Sequence, residues 1–97
     1  MLDKLTWEDW LSCLNQPFRL QRPDISMDWE LVQVTPWGDA VGRGRQPYTL
    51  LFRGPLRPLL PQGIQPLHHP RLGRVEIFLV PIGPDGSGGM RYEAVFT

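Results

Sequence analysis

Arg74-Val75-Glu76-Ile77-Phe78-Leu79-Val80, the reversal Gly83-Pro84-Asp85-Gly86-Ser87-Gly88-Gly89 and the run Met90-Arg91-Tyr92-Glu93-Ala94-Val95-Phe96 carry the architecture of this chain. The first run is the most apolar in the sequence and predicts a strand buried on both faces. The second is built of glycine, proline, aspartate and serine, each of which favours a turn. The third alternates, with Met90, Tyr92, Ala94 and Phe96 on one face and Arg91, Glu93 and Val95 on the other. Together they predict a β-hairpin against which every other segment packs.

Upstream, Thr6-Trp7-Glu8-Asp9 has the form of a capping box, with Leu5 and Trp10 at the positions of a hydrophobic staple. Trp7, Trp10, Leu11 and Leu14 fall at helical spacing. Asn15 and Pro17 end the pattern, so a helix is expected over 7–14. It is too short to stand alone in water and must lie on a sheet. Phe18 and Leu20 alternate with Arg19 and Gln21, which predicts a first strand. Ile25, Met27, Trp29 and Leu31 share one face of a second. There the apolar phase slips to Val32 and Val34, the signature of a bulge or sharp bend. Tyr48, Leu50 and Phe52 line one face of a third strand. Gly54 to Gly73 is proline-rich, with a short strand expected over Ile64 to Leu67 and Pro66 implying an edge. The sum is a mainly β chain: a small antiparallel barrel or sandwich of about six strands with one short N-terminal helix, forming a single domain over 1–97.

Composition narrows the function. Ten basic and ten acidic residues give zero formal net charge in 97 residues. Nonspecific nucleic-acid binding scales with the phosphates neutralised, so a nucleic-acid partner is not expected. Zero net charge also gives little protection against self-association, so a homo-oligomer is an expected state. Cys13 is the only cysteine, and no internal disulfide forms. Asp3, Glu8 and Asp9 interrupt the apolar run that a secretory signal needs. No stretch approaches the roughly 20 apolar residues of a membrane span. The expected location is the cytoplasm or a particle assembled there, with no membrane partner.

Catalytic constellations are sparse. His68 and His69 are adjacent and point to opposite sides of an extended segment, and no second pair completes a zinc set. Ser12, Ser26 and Ser87 lack the context of an activated nucleophile. Cys13 reads as a buried thiol. Glu76 and Glu93 lie on the two arms of the C-terminal hairpin. They are expected to pair with Arg74 and Arg91 rather than to act as a carboxylate dyad. No cofactor and no metal is expected, and a hydrolase is the least favoured reading. An open cleft with His68 or His69 beside Cys13 is what would revive it.

The loops are better candidates for recognition. Gly42-Arg43-Gly44-Arg45 offers backbone N–H groups and two guanidinium heads. Pro55-Leu56-Arg57-Pro58-Leu59-Leu60-Pro61 reads as a stiff strap across one end of the core, with Leu59 or Leu60 filling a hole beneath it. Trp37 sits between Pro36 and Gly38, outside any periodic face, and suits an interface anchor. Trp37, Arg43, Arg45 and Arg57 are therefore the expected protein-contact residues. A competing expectation is a small-ligand-binding barrel whose mouth holds Trp29, Tyr48 and Tyr92.

Leu5-Thr6-Trp7-Glu8-Asp9, Pro61-Gln62-Gly63, His69-Pro70-Arg71-Leu72-Gly73, Phe78-Leu79-Val80-Pro81-Ile82-Gly83-Pro84 and Tyr92-Glu93-Ala94-Val95-Phe96 form a further pattern. It resembles a family of small bacterial proteins of about this length, classed as a domain of unknown function. The resemblance runs over nearly the whole chain, and the two C-terminal motifs are its most specific part. It implies an accessory or structural role, with a tail-collar-like or fibre-like protein as partner, and it assigns no catalytic residue.

Overall fold

The computed structural model describes residues 5–38 and 46–97. In chain order the elements are α1 (Trp7–Leu11), β1 (Pro17–Arg22), β2 (Ile25–Pro36), β3 (Tyr48–Pro55), β4 (Gly63–His69), β5 (Gly73–Pro84) and β6 (Gly89–Phe96). The six strands close into an antiparallel barrel in the order β1-β2-β3-β6-β5-β4.

Two long strands make the closure possible. β2 pairs with β1 over its first half, from Ile25 to Glu30, and with β3 from Glu30 to Pro36. β5 pairs with β4 from Gly73 to Leu79 and with β6 from Val80 to Pro84. Each carries a register shift in its second half, at Leu31/Gln33 and at Pro81/Gly83. A bulge bends a strand and increases its twist, which lets one strand belong to two sheets. The barrel is thus two sheets that share β2 and β5. The first of these bends is the phase slip read at Val32.

The interior is filled by alternate residues of every strand. Phe18, Leu20, Trp29, Leu31, Tyr48, Leu50, Phe52, Leu67, Val75, Ile77, Leu79, Tyr92 and Ala94 are all buried. Trp29 lies flat on Tyr92, with ring centroids 4.1 Å apart and planes at 19°. Trp10 of α1 reaches in beside Phe18, Phe52 and Phe96. Its indole N–H donates to the Tyr48 hydroxyl at 2.9 Å, which satisfies the one polar atom that a buried tryptophan brings.

Three expectations need correction. The helix stops at Leu11, and 12–15 form a turn. Asn15 adopts a left-handed φ of 66°, and its N–H donates to the Leu31 carbonyl at 2.7 Å. The chain thus leaves the helix to dock on β2. The capping box is formed as expected, with Thr6 and Asp9 exchanging side-chain and backbone bonds. β5 is not buried on both faces: Val75, Ile77 and Leu79 point in, while Arg74, Glu76 and Phe78 are exposed. A barrel wall has one dry face, and no second layer covers β5 among the described residues. Pro66 sits in a closed barrel rather than at a free edge, opposite Glu76 of β5. The ladder joining β4 to β1 comprises Arg19↔His68 and Leu20↔Leu67 and stops just short of it, so its missing N–H interrupts nothing there. Of the two strap leucines expected to fill a hole beneath it, Leu60 is buried, in line with that expectation, and Leu59 is exposed. The Leu60 N–H donates to the Tyr92 hydroxyl at 3.1 Å.

Candidate functional site

Of the residues expected to contact a partner, Trp37 and Arg57 fall among the described residues, and they flank opposite ends of β3. Trp37 is 42% exposed, and its indole N–H donates to Thr49 Oγ1 at 3.0 Å. It stands beside the start of β3, where its backbone N–H meets the Pro47 carbonyl. Arg57 is exposed just past the other end of β3. A strand advances roughly 3.3 Å per residue, so the length of β3 keeps the two apart. Gly42, Arg43, Gly44 and Arg45 lie outside the described residues. Glu76 pairs with Arg74 on its own strand at 2.8 Å, whereas Arg91 donates to the Gly83 carbonyl at 3.4 Å. Glu93 lies opposite Val80 and Leu51, so the two glutamates do not face each other.

Trp29, Tyr48 and Tyr92 are each 1% exposed or less. They are core residues, and Trp29 also borders a surface cleft described below. Their side chains belong to the buried cluster inside the barrel.

Folding does bring Cys13 and His69 together, which their separation in the chain hides. Cys13 Sγ lies 3.9 Å from His69 Nδ1, and Gln16 Oε1 lies 2.7 Å from His69 Nε2. The Arg71 N–H donates to His69 Nδ1 at 3.1 Å. That bond marks Nδ1 as an acceptor and places the ring proton on Nε2, where it donates to Gln16. Burial and then the Arg71 charge lower the His69 pKa, favouring the neutral ring. The order of groups is that of a nucleophile, a base and an orienting amide, but Cys13 is wholly buried. Its thiol contacts the Asp9 carbonyl and the Ser12 hydroxyl, and the lone pair of Nδ1 is already engaged. Arg71 also bonds Ser12 across the same junction. The cluster fastens the turn after α1 to the end of β4.

The outer wall carries a different feature. Ile64 and Phe78 are directly opposed on β4 and β5, and they are 65% and 53% exposed. Val95, 57% exposed, and Ile82, 40% exposed, extend the apolar character over β6 and the far half of β5. The nearest charges on β5 are Arg74 and Glu76, already paired with each other.

A cleft of about 600 Å³ opens elsewhere on the wall, lined by residues of β1, β2, β3 and the β5–β6 turn, Trp29, Glu30, Arg53 and Gly54 among them. The turn beside it is tightly held. Asp85 Oδ1 accepts from the N–H groups of Ser87 and Gly89 at 2.7 and 3.0 Å. Asp85 Oδ2 accepts from Arg53 Nε. These bonds, the Arg53 one foremost, hold the Asp85 pKa down at about 2. Arg53 also donates to the Ser87 carbonyl at 2.9 Å, so its guanidinium is turned toward the hairpin. Among the described residues, Trp29 Nε1 is a buried side-chain polar atom with no hydrogen-bond partner.

A closed six-stranded antiparallel barrel with a filled interior and a helical plug defines the class of protein. Its sequence matches the family model described as a domain of unknown function (DUF6916) over residues 5–96. The chain belongs to that family. Comparison with curated proteins and with solved structures finds no match. Among the described residues, no helix is long and apolar enough to cross a membrane.

Proposed function

We propose that this chain is a non-enzymatic protein-binding module, an assembly or accessory component of a tail-like or fibre-like particle, working in the cytoplasm. The observation that carries the reading is the outward pair Ile64–Phe78, directly opposed across two strands and more than half exposed. An aromatic and a β-branched side chain opposed across two strands steady the sheet by about 0.2–1 kcal/mol, and exposed together they also offer an apolar contact surface. A partner that covers them brings an apolar face. The resemblance to proteins encoded beside phage-tail-collar-like genes supports a collar-like or fibre-like partner. The burial of Cys13 and the engaged Nδ1 of His69 favour a structural over a catalytic role for that cluster.

Size-exclusion chromatography with light scattering tests the reading, run on the chain alone and mixed with collar-like and fibre-like proteins encoded nearby. The wild type is expected to form a defined complex. Phe78→Glu is expected to weaken it at least about tenfold with an unchanged circular dichroism spectrum. A wild type that stays free in every mixture, or a Phe78→Glu variant that binds as well, overturns the reading. Assembly of the chain with itself alone, lost in the same variant, replaces the collar-like partner with a second copy.

A further inference from the structure

The cleft beside Arg53 sits where two strands that begin as neighbours separate. The β2–β3 ladder runs from Pro36↔Tyr48 to Glu30↔Arg53 and stops. β1 remains paired with β2 down to Ile25, and β6 remains paired with β3 up to Pro55. From residue 25 to residue 29, β2 is therefore in register with β1 on one side and with no described strand on the other.

The direction of the backbone groups along this edge follows from one contact. The Leu31 N–H donates to the Gln16 carbonyl, and the Leu31 carbonyl accepts from Asn15. Leu31 thus turns its polar groups toward the β1 side. Alternation along an antiparallel strand turns those of Glu30, Asp28 and Ser26 the other way. Glu30 meets Arg53 there. The residue two further along β3 is Pro55, which has no N–H to offer the Asp28 carbonyl. The proline explains why the ladder ends, and it leaves the main-chain groups of Asp28 and Ser26 facing the cleft.

Two further observations point to an occupant. Trp29 Nε1 is the unpartnered buried donor, and it lies against Gly54, where an added Cβ would stand 2.5 Å from it. Both residues line the cleft. A carbonyl oxygen that enters beside Gly54 supplies the missing acceptor. The charges are also uneven. Asp28 pairs with Arg19 at 3.1 Å, and Arg53 is committed to Asp85 and the Ser87 carbonyl. Glu30 lines the same cleft and takes part in no ion pair among the described residues, so the cleft keeps one uncompensated negative charge.

We propose that the split between β2 and β3 receives a short extended peptide segment of a partner protein, added as a strand beside Ser26 and Asp28, with a lysine or arginine side chain set toward Glu30. Strand addition to an exposed sheet edge supplies main-chain hydrogen bonds for affinity and side-chain contacts for selectivity. The site deepens the protein-binding reading above and rests on it, but it lies on a different part of the wall from Ile64 and Phe78.

The probe is a capped pentapeptide that alternates threonine and valine around a central lysine, titrated into the full chain and followed by amide and indole N–H resonances. Saturable shifts are expected at the Ser26 and Asp28 amides and at the Trp29 indole N–H. The same peptide with central glutamate is expected to bind about two- to fivefold more weakly, the effect of one exposed charge pair. Glu30→Lys reverses that order. A peptide methylated on its backbone nitrogens is expected to lose binding altogether, and this control needs no protein variant. No shift at those three groups at millimolar peptide, or equal binding by the methylated peptide, overturns the proposal. If those shifts are absent while complexes still form through Phe78, the groove fails alone. If both are absent, the module reading fails with it.

Discussion

The junction at α1 and the split between β2 and β3 are two places where a small barrel is left incomplete by its own strands, and they are resolved in opposite ways. At the first, the chain supplies a plug. Trp10 fills the space between Phe18, Phe52 and Phe96, and its one polar atom is satisfied by Tyr48. Cys13, Gln16 and Ser12 then engage His69 and Arg71. At the second, Pro55 ends the ladder, and among the described residues an indole N–H lacks a partner and Glu30 takes part in no ion pair. Folded proteins rarely bury a donor without an acceptor. The contrast shows that the open place is not forced by barrel geometry, because the same chain closes its counterpart completely.

The contrast can be broken most directly at the plug. Trp10→Ala removes the indole from the aromatic cluster and leaves the Tyr48 hydroxyl without that donor. A loss of about 3–5 kcal/mol is expected in urea unfolding, a large part of the stability of a domain this size. A loss under about 1 kcal/mol would mean that the plug is an accessory to a barrel already complete without it.

Gly54→Ala sharpens the other side. The new methyl group meets the Trp29 indole, which must shift against Tyr92. Overpacking of this kind costs about 1–3 kcal/mol. A changed near-ultraviolet circular dichroism signal is expected together with weaker peptide binding, since the indole N–H moves. Unchanged stability would show that the floor of the split is slack.

The smallest effect is a pH dependence confined to the plug. The His69 pKa is lowered by burial and by Arg71, so the unfolded chain takes up this proton before the folded one does. The contribution of His69 is complete above about pH 6.5. It declines as pH falls from there toward the lowered folded value, because stability drops wherever the unfolded state binds more protons. Unfolding free energies measured between pH 7.5 and pH 5 should fall for the wild type and flatten for His69→Gln. Asp85, held at about 2, acts in a separate window below about pH 4.

Local pattern made the wall of the barrel legible. Tyr48, Leu50 and Phe52 face inward as their alternation requires, and the phase slip after Leu31 marks the bend of β2. The capping box at Thr6 and Asp9 was equally plain. Phe78 was misjudged for a physical reason. An apolar run records which residues avoid water or wait for a partner, and it does not say whether a second layer exists to cover them. The Cys13–His69 contact joins residues 56 apart, and no periodicity encodes such a pairing. The split at Pro55 was half legible. A proline at the end of an interior strand announces a missing donor, but only the register reveals that Asp28 is the residue deprived of it.

The β1–β4 ladder is the shortest closure in the barrel, two registered pairs against seven between β4 and β5. A cylinder held so lightly along one line parts there before anywhere else, and the Gln16–His69 and Ser12–Arg71 bonds lie across that line like a clasp. Releasing the clasp opens the barrel along that line, with β1 still held to β2 by six registered pairs. At high concentration, the two strand edges bared along such a seam can pair with those of a neighbouring molecule, which makes this line the place where copies of the barrel would join.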